Sequence, residues 1–552
     1  MTSSIGFVDR IRWLSALAAS TVLALVAAVA LHQWQPTAID SGSAASPSAP
    51  AGSSAPLDPR IASLAAHRPA ASVSAIVQFK AGVSLERARW IVSRAGGHVF
   101  GQLHIINALA VRLPAERARW LARNPGVHSV SLNSAIKTQD WGLNAITGSM
   151  LGSLQTTYDQ TLNVLSPWSH GYTGAGVGVA VIDTGIAGGL PDFQGSNGSS
   201  RVVETAVTNP YATTATDGYG HGTDVAGIIA GNGLNRPSGD PLDGQYIGVA
   251  PNANLISVKV SDDQGNSTVL DVIYGLQFVV DHQSDYNIRV VNMSLDSTTP
   301  QSYTSDPLDA AAESAWMHGI VVVAAAGNRG TAPDAVQYAP ANDPYVITVG
   351  AVDENGQSNP ANDTVASWSS QGTTQDGFQK PDVYAPGAHI VSVLAPNSAF
   401  ASMCPSCVIG GAYIKTGGTS MAAPMISGLV ADLLQQHPSL TPNQVKGALT
   451  SSWVSSNSNF QEPDANRLFW MWSPPVANRG LTPNTLITDP QGNIDYSRSS
   501  WSRSSWSTAT GSLSAGFARS SWSCTCSTTS TGSIDPSRSS WSSNSWSTYF
   551  GQ

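Results

Sequence analysis

The chain has 552 residues, with 27 basic and 36 acidic side chains and a net charge of −9. That balance excludes a nucleic-acid binder working through a global positive field. Charged residues make up only 11% and apolar residues 41%, which excludes a charge-rich disordered chain. Four cysteines cannot staple a chain this long, and there is ample apolar material for a large core without them.

The N-terminus carries Arg10 and Arg12, then an apolar run from Trp13 to Leu31 that contains Ala28-Val29-Ala30. This reads as a cleaved secretory signal within residues 1–34, with an uncleaved membrane anchor as the rival that its length allows. Residues 35–71 read as a flexible spacer, rich in Ser, Ala, Pro and Gly up to residue 60. Residues 72–136 read as a compact α+β unit. Ser74 to Phe79 is strand-like, and residues 84–95 have helical spacing of Leu85, Ala88, Ile91 and Val92, stopped by Gly96-Gly97. Two alternating runs follow between His98 and Leu113, then a helix at 115–123 and a last strand from Val127 to Leu132. The order β-α-β-β-α-β is the split βαβ, or ferredoxin-like, arrangement.

Residues 145–472 alternate β-branched runs with helical stretches, which predicts a doubly wound, mostly parallel α/β sheet. Three segments in it carry chemistry. GVGVAVIDTGI is a buried strand that ends in Asp183. GYGHGTDVAGIIAG sets His221 between glycines ahead of a helix, and GGTSMAAPMISGLVADLL sets Ser420 at the start of another, with Pro424 in its first turns. Singly, these are a turn aspartate, a solvated histidine and a helix cap. The chain order Asp, His, Ser is one of the known orders for a nucleophile, its base and an orienting acid.

On the strings VAVIDTGI, HGTDVAGIIAG, VVVAAAGN and GTSMAAP, in this order, residues 165–455 resemble the subtilisin-like serine proteases, the subtilases. The unit at 72–136 resembles the inhibitory propeptides that precede such enzymes. The resemblance implies Ser420 as nucleophile, His221 as general base and acid, Asp183 as its orienting partner and Asn328 as side-chain oxyanion donor. It implies a substrate pocket between Ser294-Leu295 and Ala324-Ala325-Gly327. Asp296 departs from the family's usual glycine. As a carboxylate at the pocket rim it would favour basic substrates, and the alternative is that it faces solvent. Asp224 stands where a second histidine is common. The family implies no cofactor for the chemistry. Structural calcium is common in it, with Asp192, Asp240 and Asp243 as candidate oxygen donors, although no EF-hand-type loop is present.

Cys404-Pro405-Ser406-Cys407 reads as disulfide-forming in a secreted context, with the pairing left open and metal and redox roles as alternatives. Residues 473–491 read as a Pro/Asn/Gly-rich linker. Residues 492–552 form a low-complexity tail in which RSSWS recurs at 498, 503, 519 and 538. Tryptophans among serines would suit a cell-surface or glycan contact. The functional expectation is a secreted, self-processing serine endopeptidase acting on protein substrates, with its own propeptide as intramolecular inhibitor and no nucleic-acid partner. The rivals are a catalytically silent scaffold and a surface-binding protein acting through the tail.

Overall fold

The structure, a computed structural model, describes residues 55–138, 158–236, 244–452 and 460–489, together with residues 238, 240, 242, 493 and 494. The leader, the first part of the spacer, residues 139–157, Asp243, Cys524, Cys526 and nearly all of the tail lie outside them.

The small unit contains β1 (Ser72–Phe79), β2 (His98–Leu103), β3 (Ala108–Pro114) and β4 (Val127–Leu132), in the sheet order β2-β3-β1-β4. Its two faces follow from the period of two along a strand. Val73, Ala75, Val77 and Phe79 of β1, with Leu109, Val111 and Leu113 of β3, pack on the unit's own helices. The alternate residues Ile76, Ala108 and Ala110 belong instead to the core of the main body. The expected spacer is structured from residue 55. Leu57 bridges Val130, Asp58 caps the helix α1 (Pro59–His67) by accepting from Arg60 N at 2.8 Å, and Ile61 and Ala65 are buried against the unit. Proline at the first helical position and an aspartate before it are start signals that outweigh the low-complexity composition. The unit's helices α2 (Leu85–Arg94) and α3 (Ala115–Ala122) follow the predicted spacing.

The unit continues into β5 (Ala135–Thr138). The body's sheet then contains β6 (Gly178–Asp183), β7 (Val202–Val207), β8 (Asn254–Lys259), β10 (Ile288–Met293), β12 (Val321–Ala325) and β13 (Ile347–Asp353). Two short segments, β9 (Ser267–Thr268) and β11 (Leu295–Ser297), lie outside that sheet and flank β5. The body's strands run parallel in the order β13-β12-β10-β6-β8-β7. β6 and β12 are buried at every position, as a strand covered on both faces must be. The covering helices include α4 (His221–Ala230), α5 (Val269–Asp281), α6 (Pro307–Met317) and α7 (Thr419–Gln436).

The small unit docks on α5 and α6. Gln277 accepts from His104 N at 3.0 Å, and Asp281 Oδ1 lies 3.0 Å from His104 Nε2. The expected linker is part of the body. Leu486 and Ile487 join its core, Asn484 N donates to Glu313 at 2.8 Å, and the Tyr345 hydroxyl donates to Leu481 O at 2.9 Å. The body thus supplies partners for the polar groups that a buried loop must satisfy. Among the described residues no helix is long and apolar enough to cross a membrane.

Candidate active site

The C-terminal ends of β6, β10 and β12 meet the N-terminal ends of α4 and α7, which is where parallel α/β sheets gather functional groups. Asp183 closes β6, and its Oδ1 lies 2.7 Å from His221 Nδ1. Because a carboxylate only accepts, the imidazole holds its proton on Nδ1 and leaves Nε2 to act as a base. Both residues are fully buried, and removing either half of such a pair costs about 3–5 kcal/mol.

A set of polar residues that the sequence reading did not single out holds the turn before α4. Asp217 accepts from Gly220 N at 2.7 Å, from Thr223 N at 2.8 Å and from the hydroxyls of Thr184 and Thr223 at 2.9 and 2.7 Å. Thr184 in turn accepts from Gly222 N at 2.9 Å. Gly220 has φ +112°, and a Cβ there would stand 2.8 Å from Ser398 Oγ. The signal for Asp217 was its place four residues before the histidine in a glycine-rich turn.

Ser420 is the second residue of α7. Its hydroxyl donates to Ser294 O at 3.1 Å, and the Ser294 hydroxyl donates to Ser420 O at 3.0 Å. The second bond has a covalent cause. Proline at 424 has no N–H to give to the carbonyl four residues back, which is that of Ser420, and Ser294 replaces it. α4, which begins at His221, and α7, which carries Ser420, pack against each other. Asn328 follows β12. Its side-chain carbonyl accepts from Thr419 N at 3.0 Å and from Thr419 Oγ1 at 3.1 Å, while Thr419 Oγ1 accepts from Gly327 N at 3.1 Å. The Asn328 amide is therefore fixed with its carbonyl on Thr419 and its NH2 turned away.

Ser294-Leu295 and Ala324-Ala325-Gly327 lie on neighbouring elements and are all buried. Asp296 agrees with neither expectation. It is 1% exposed and ion-paired to Arg329 Nη1. Burial raises its carboxyl to about 6, opposed by the Arg329 guanidinium. A charge left alone at that depth would be costly, which is why it neither faces solvent nor stays free for a basic substrate. Asp224, fully buried on α4, accepts from Thr416 Oγ1 at 2.8 Å, and burial pushes its carboxyl up to about 7.

β5 lies antiparallel to β11 in the register Thr138–Leu295, Lys137–Asp296 and Ile136–Ser297, and also pairs with β9. A strand of the chain thus runs along the groove edge beside Ser294, in the manner of a peptide added to a sheet. Cys404 and Cys407 form a disulfide with a Cα separation of 5.3 Å. Of the calcium candidates, Asp243 lies outside the described residues. Asp240 is held by Arg236 at 2.5 Å, and burial pushes the Asp192 carboxyl up to about 6. Among the described residues no three His, Cys, Asp or Glu side chains cluster as metal ligands.

A parallel α/β sheet with a carboxylate, an imidazole and a helix-borne serine at its C-terminal edge is the architecture of one class of serine endopeptidase. Residues 174–469 match the model of the subtilase family, and the chain belongs to that family. It is 42% identical over 296 residues to serine protease AprX of Bacillus subtilis strain 168, covering 52% of this chain and 64% of AprX, less than two thirds of that relative. It is 34% identical over 394 residues to subtilisin E of the same organism, covering 70% of this chain and 86% of subtilisin E. Among solved structures, fervidolysin from Fervidobacterium pennivorans, described as a keratinolytic enzyme related to subtilisin, shares the fold with a TM-score of 0.54 and 24% identity, covering 78% of this chain and 64% of that one.

Proposed function

We propose that the chain is made as a self-processing precursor of a secreted serine endopeptidase that hydrolyses peptide bonds in proteins. The observation that carries this reading is the 2.7 Å contact between Asp183 and His221. For attack, the Ser420 hydroxyl turns from Ser294 O toward Nε2 of His221. That nitrogen takes the proton as Oγ bonds to the scissile carbonyl carbon, then returns it to the leaving amine. Asp183 keeps the imidazole oriented and stabilises its charged form. The Asn328 NH2 and the N-terminal end of α7 stabilise the oxyanion, and a side-chain donor in that place lowers the barrier by about 3–4 kcal/mol. No step uses a metal or cofactor.

Residues 72–136 are read as the inhibitory propeptide. The antiparallel run of β5 beside β11 supports this, because a strand in the groove keeps other peptides out. Processing would fall between residues 136 and 146, largely outside the described residues, and residues 1–34 would direct export. The Ser/Trp tail is read as a surface or glycan contact. Intact mass and casein hydrolysis of the parent and of Ser420→Ala test the reading together. The parent should lose about the first 140 residues and digest casein, with the variant full length and slower by about 10⁴-fold or more. A folded parent that is neither cut nor active would overturn it.

A further inference from the structure

The small unit and the rest of the chain carry opposite charge. Residues 55–138 contain eleven Lys and Arg against three Asp and Glu, whereas residues 139–552 contain fourteen against thirty-one. A net charge of +8 is thus joined to one of −17. Most of the positive charge faces away from the body. Arg87, Arg89, Arg94, Arg117, Arg119 and Arg123 are exposed on α2 and α3 or at the end of α3. Those helices pack through Ala88, Ile91, Val92, Ala118 and Leu121 on one face of the unit's sheet, while Ile76, Ala108 and Ala110 join the body's core from the other. The sheet therefore stands between these arginines and the body. Among the described residues no ion pair joins Arg87, Arg94, Arg117, Arg119 or Arg123 to a carboxylate of the body.

The two helices also repeat one another. Glu-Arg-Ala-Arg-Trp occurs at 86–90 and again at 116–120, in the same helical phase. Ala88 and Ala118 are buried, and Trp90 and Trp120 are turned outward, 47% and 41% exposed. Arg87 and Arg94 hold their guanidinium carbons 4.2 and 5.5 Å from the Trp90 ring centroid. The acids of these helices, Glu86 and Glu116, sit in the first turns, where the helix dipole offsets them, and Glu116 lies 3.7 Å from Arg117. Exposed tryptophans among arginines match a lipid–water interface, with the rings at headgroup level and the cations on phosphate. We infer that the outer face of α2 and α3 docks on an anionic lipid surface and holds the precursor there. A duplex nucleic acid would use the cations and leave the two rings without a role.

The layout of the chain argues for the same occupant. Only residues 32–54 separate the apolar run that ends at Leu31 from the described fold. A segment of that length spans at most about 80 Å, so under the export role proposed for residues 1–34 the unit stays beside the bilayer that the leader enters. The remainder of the chain, at −17, is repelled by the same surface, so removing the unit frees the body. Docking on lipid does not depend on the proposed endopeptidase function, and release does.

The test uses Ser420→Ala protein from residue 35 onward, which keeps the unit attached and every described residue present. It is sedimented with vesicles of phosphatidylcholine alone and of phosphatidylcholine with about one part in three phosphatidylglycerol. It should bind the anionic vesicles at least about tenfold more tightly, with the difference shrinking in high salt. Arg87→Gln, Arg94→Gln, Arg117→Gln and Arg123→Gln together should weaken that binding at least about 25-fold. Trp90→Ala with Trp120→Ala should weaken it about tenfold at unchanged charge. All six positions are exposed, and a Tm equal to the parent's shows that each variant is folded. Equal binding to both kinds of vesicle overturns the inference, as do folded variants that bind like the parent. Tighter binding of a DNA duplex than of vesicles, with the tryptophan variant unaffected, overturns it in favour of nucleic acid. The self-processed body should stay in the supernatant with either vesicle. A protein that docks on lipid but is never processed leaves the docking standing and sinks release together with the endopeptidase reading.

Discussion

The small unit and the main body solve the problem of burying a sheet in different ways. The body's parallel strands are covered on both faces by its own helices, and its chemistry-bearing residues are enclosed in that core. The small unit covers one face with its own helices and lends the other, through Ile76, Ala108 and Ala110, to the body's core. The body therefore has little slack at its site. The unit's second face, by contrast, is stable only while docked, since detaching it exposes apolar surface on both sides at about 25 cal/mol per Å². Under the inhibitory role proposed for residues 72–136, such a borrowed face suits a unit that has to be removed.

Gly222→Ala should strike the body where it is tightest. The added Cβ would stand 2.2 Å from Gly185 O and 3.1 Å from Asp183 Cβ, contacts with backbone and core that cannot swing aside. We expect a loss of about 1–3 kcal/mol in stability and a fall of about 100-fold in kcat/KM as His221 is displaced, read by thermal unfolding and peptide hydrolysis. Unchanged kinetics would show that the site has slack.

Gly101→Val should break the docked face and spare the body. A Cβ at 101 would lie 1.8 Å from the Tyr274 hydroxyl on α5. In full-length protein carrying Ser420→Ala, trypsin should cut residues 55–138 about tenfold faster, equivalent to about 1.4 kcal/mol of docking, with the body's Tm unmoved. Equal cutting rates would mean that the unit does not need this contact.

Asp224→Asn sharpens the contrast through pH. The folded carboxyl titrates at about 7 because it is buried, and in the unfolded chain it returns to the ordinary value near 4. Between these values folding takes up a proton, so the parent loses stability as pH rises through this window. The neutral asparagine removes that loss, on the order of 3 kcal/mol by pH 8. Denaturant unfolding of Ser420→Ala with and without Asp224→Asn, at pH 5 and pH 8, measures it. A difference between the two proteins that is the same at both pH values would refute the assignment.

Much of this molecule was legible in the sequence, and the parts that were not share a physical cause. β6, α4 and α7 announce themselves through apolar runs with glycines and a carboxylate at fixed places, which also mark Asp183, His221 and Ser420. The small unit's strands were readable as short β-branched and apolar runs bounded by turn residues, although both faces of β1 and β3 are buried. The helix from Pro59 was hidden by the composition around it, although its cap and proline stood in the open. The packed segment around Leu486 and Ile487 was unreadable because an irregular strap has no period. Asp296 could not be placed because its partner, Arg329, is brought to it only by the folding of β12 beside β10.

The exchange of hydrogen bonds between Ser294 and Ser420 has a mechanical consequence. Proline at 424 leaves the first turn of α7 without its own brace, and the brace comes from the opposite wall of the groove. The serine and that wall are thus one stiff joint. Displacing the Ser294 segment would carry the Ser420 hydroxyl with it, which under the proposed function ties the seating of a bound strand to the placing of the attacking oxygen.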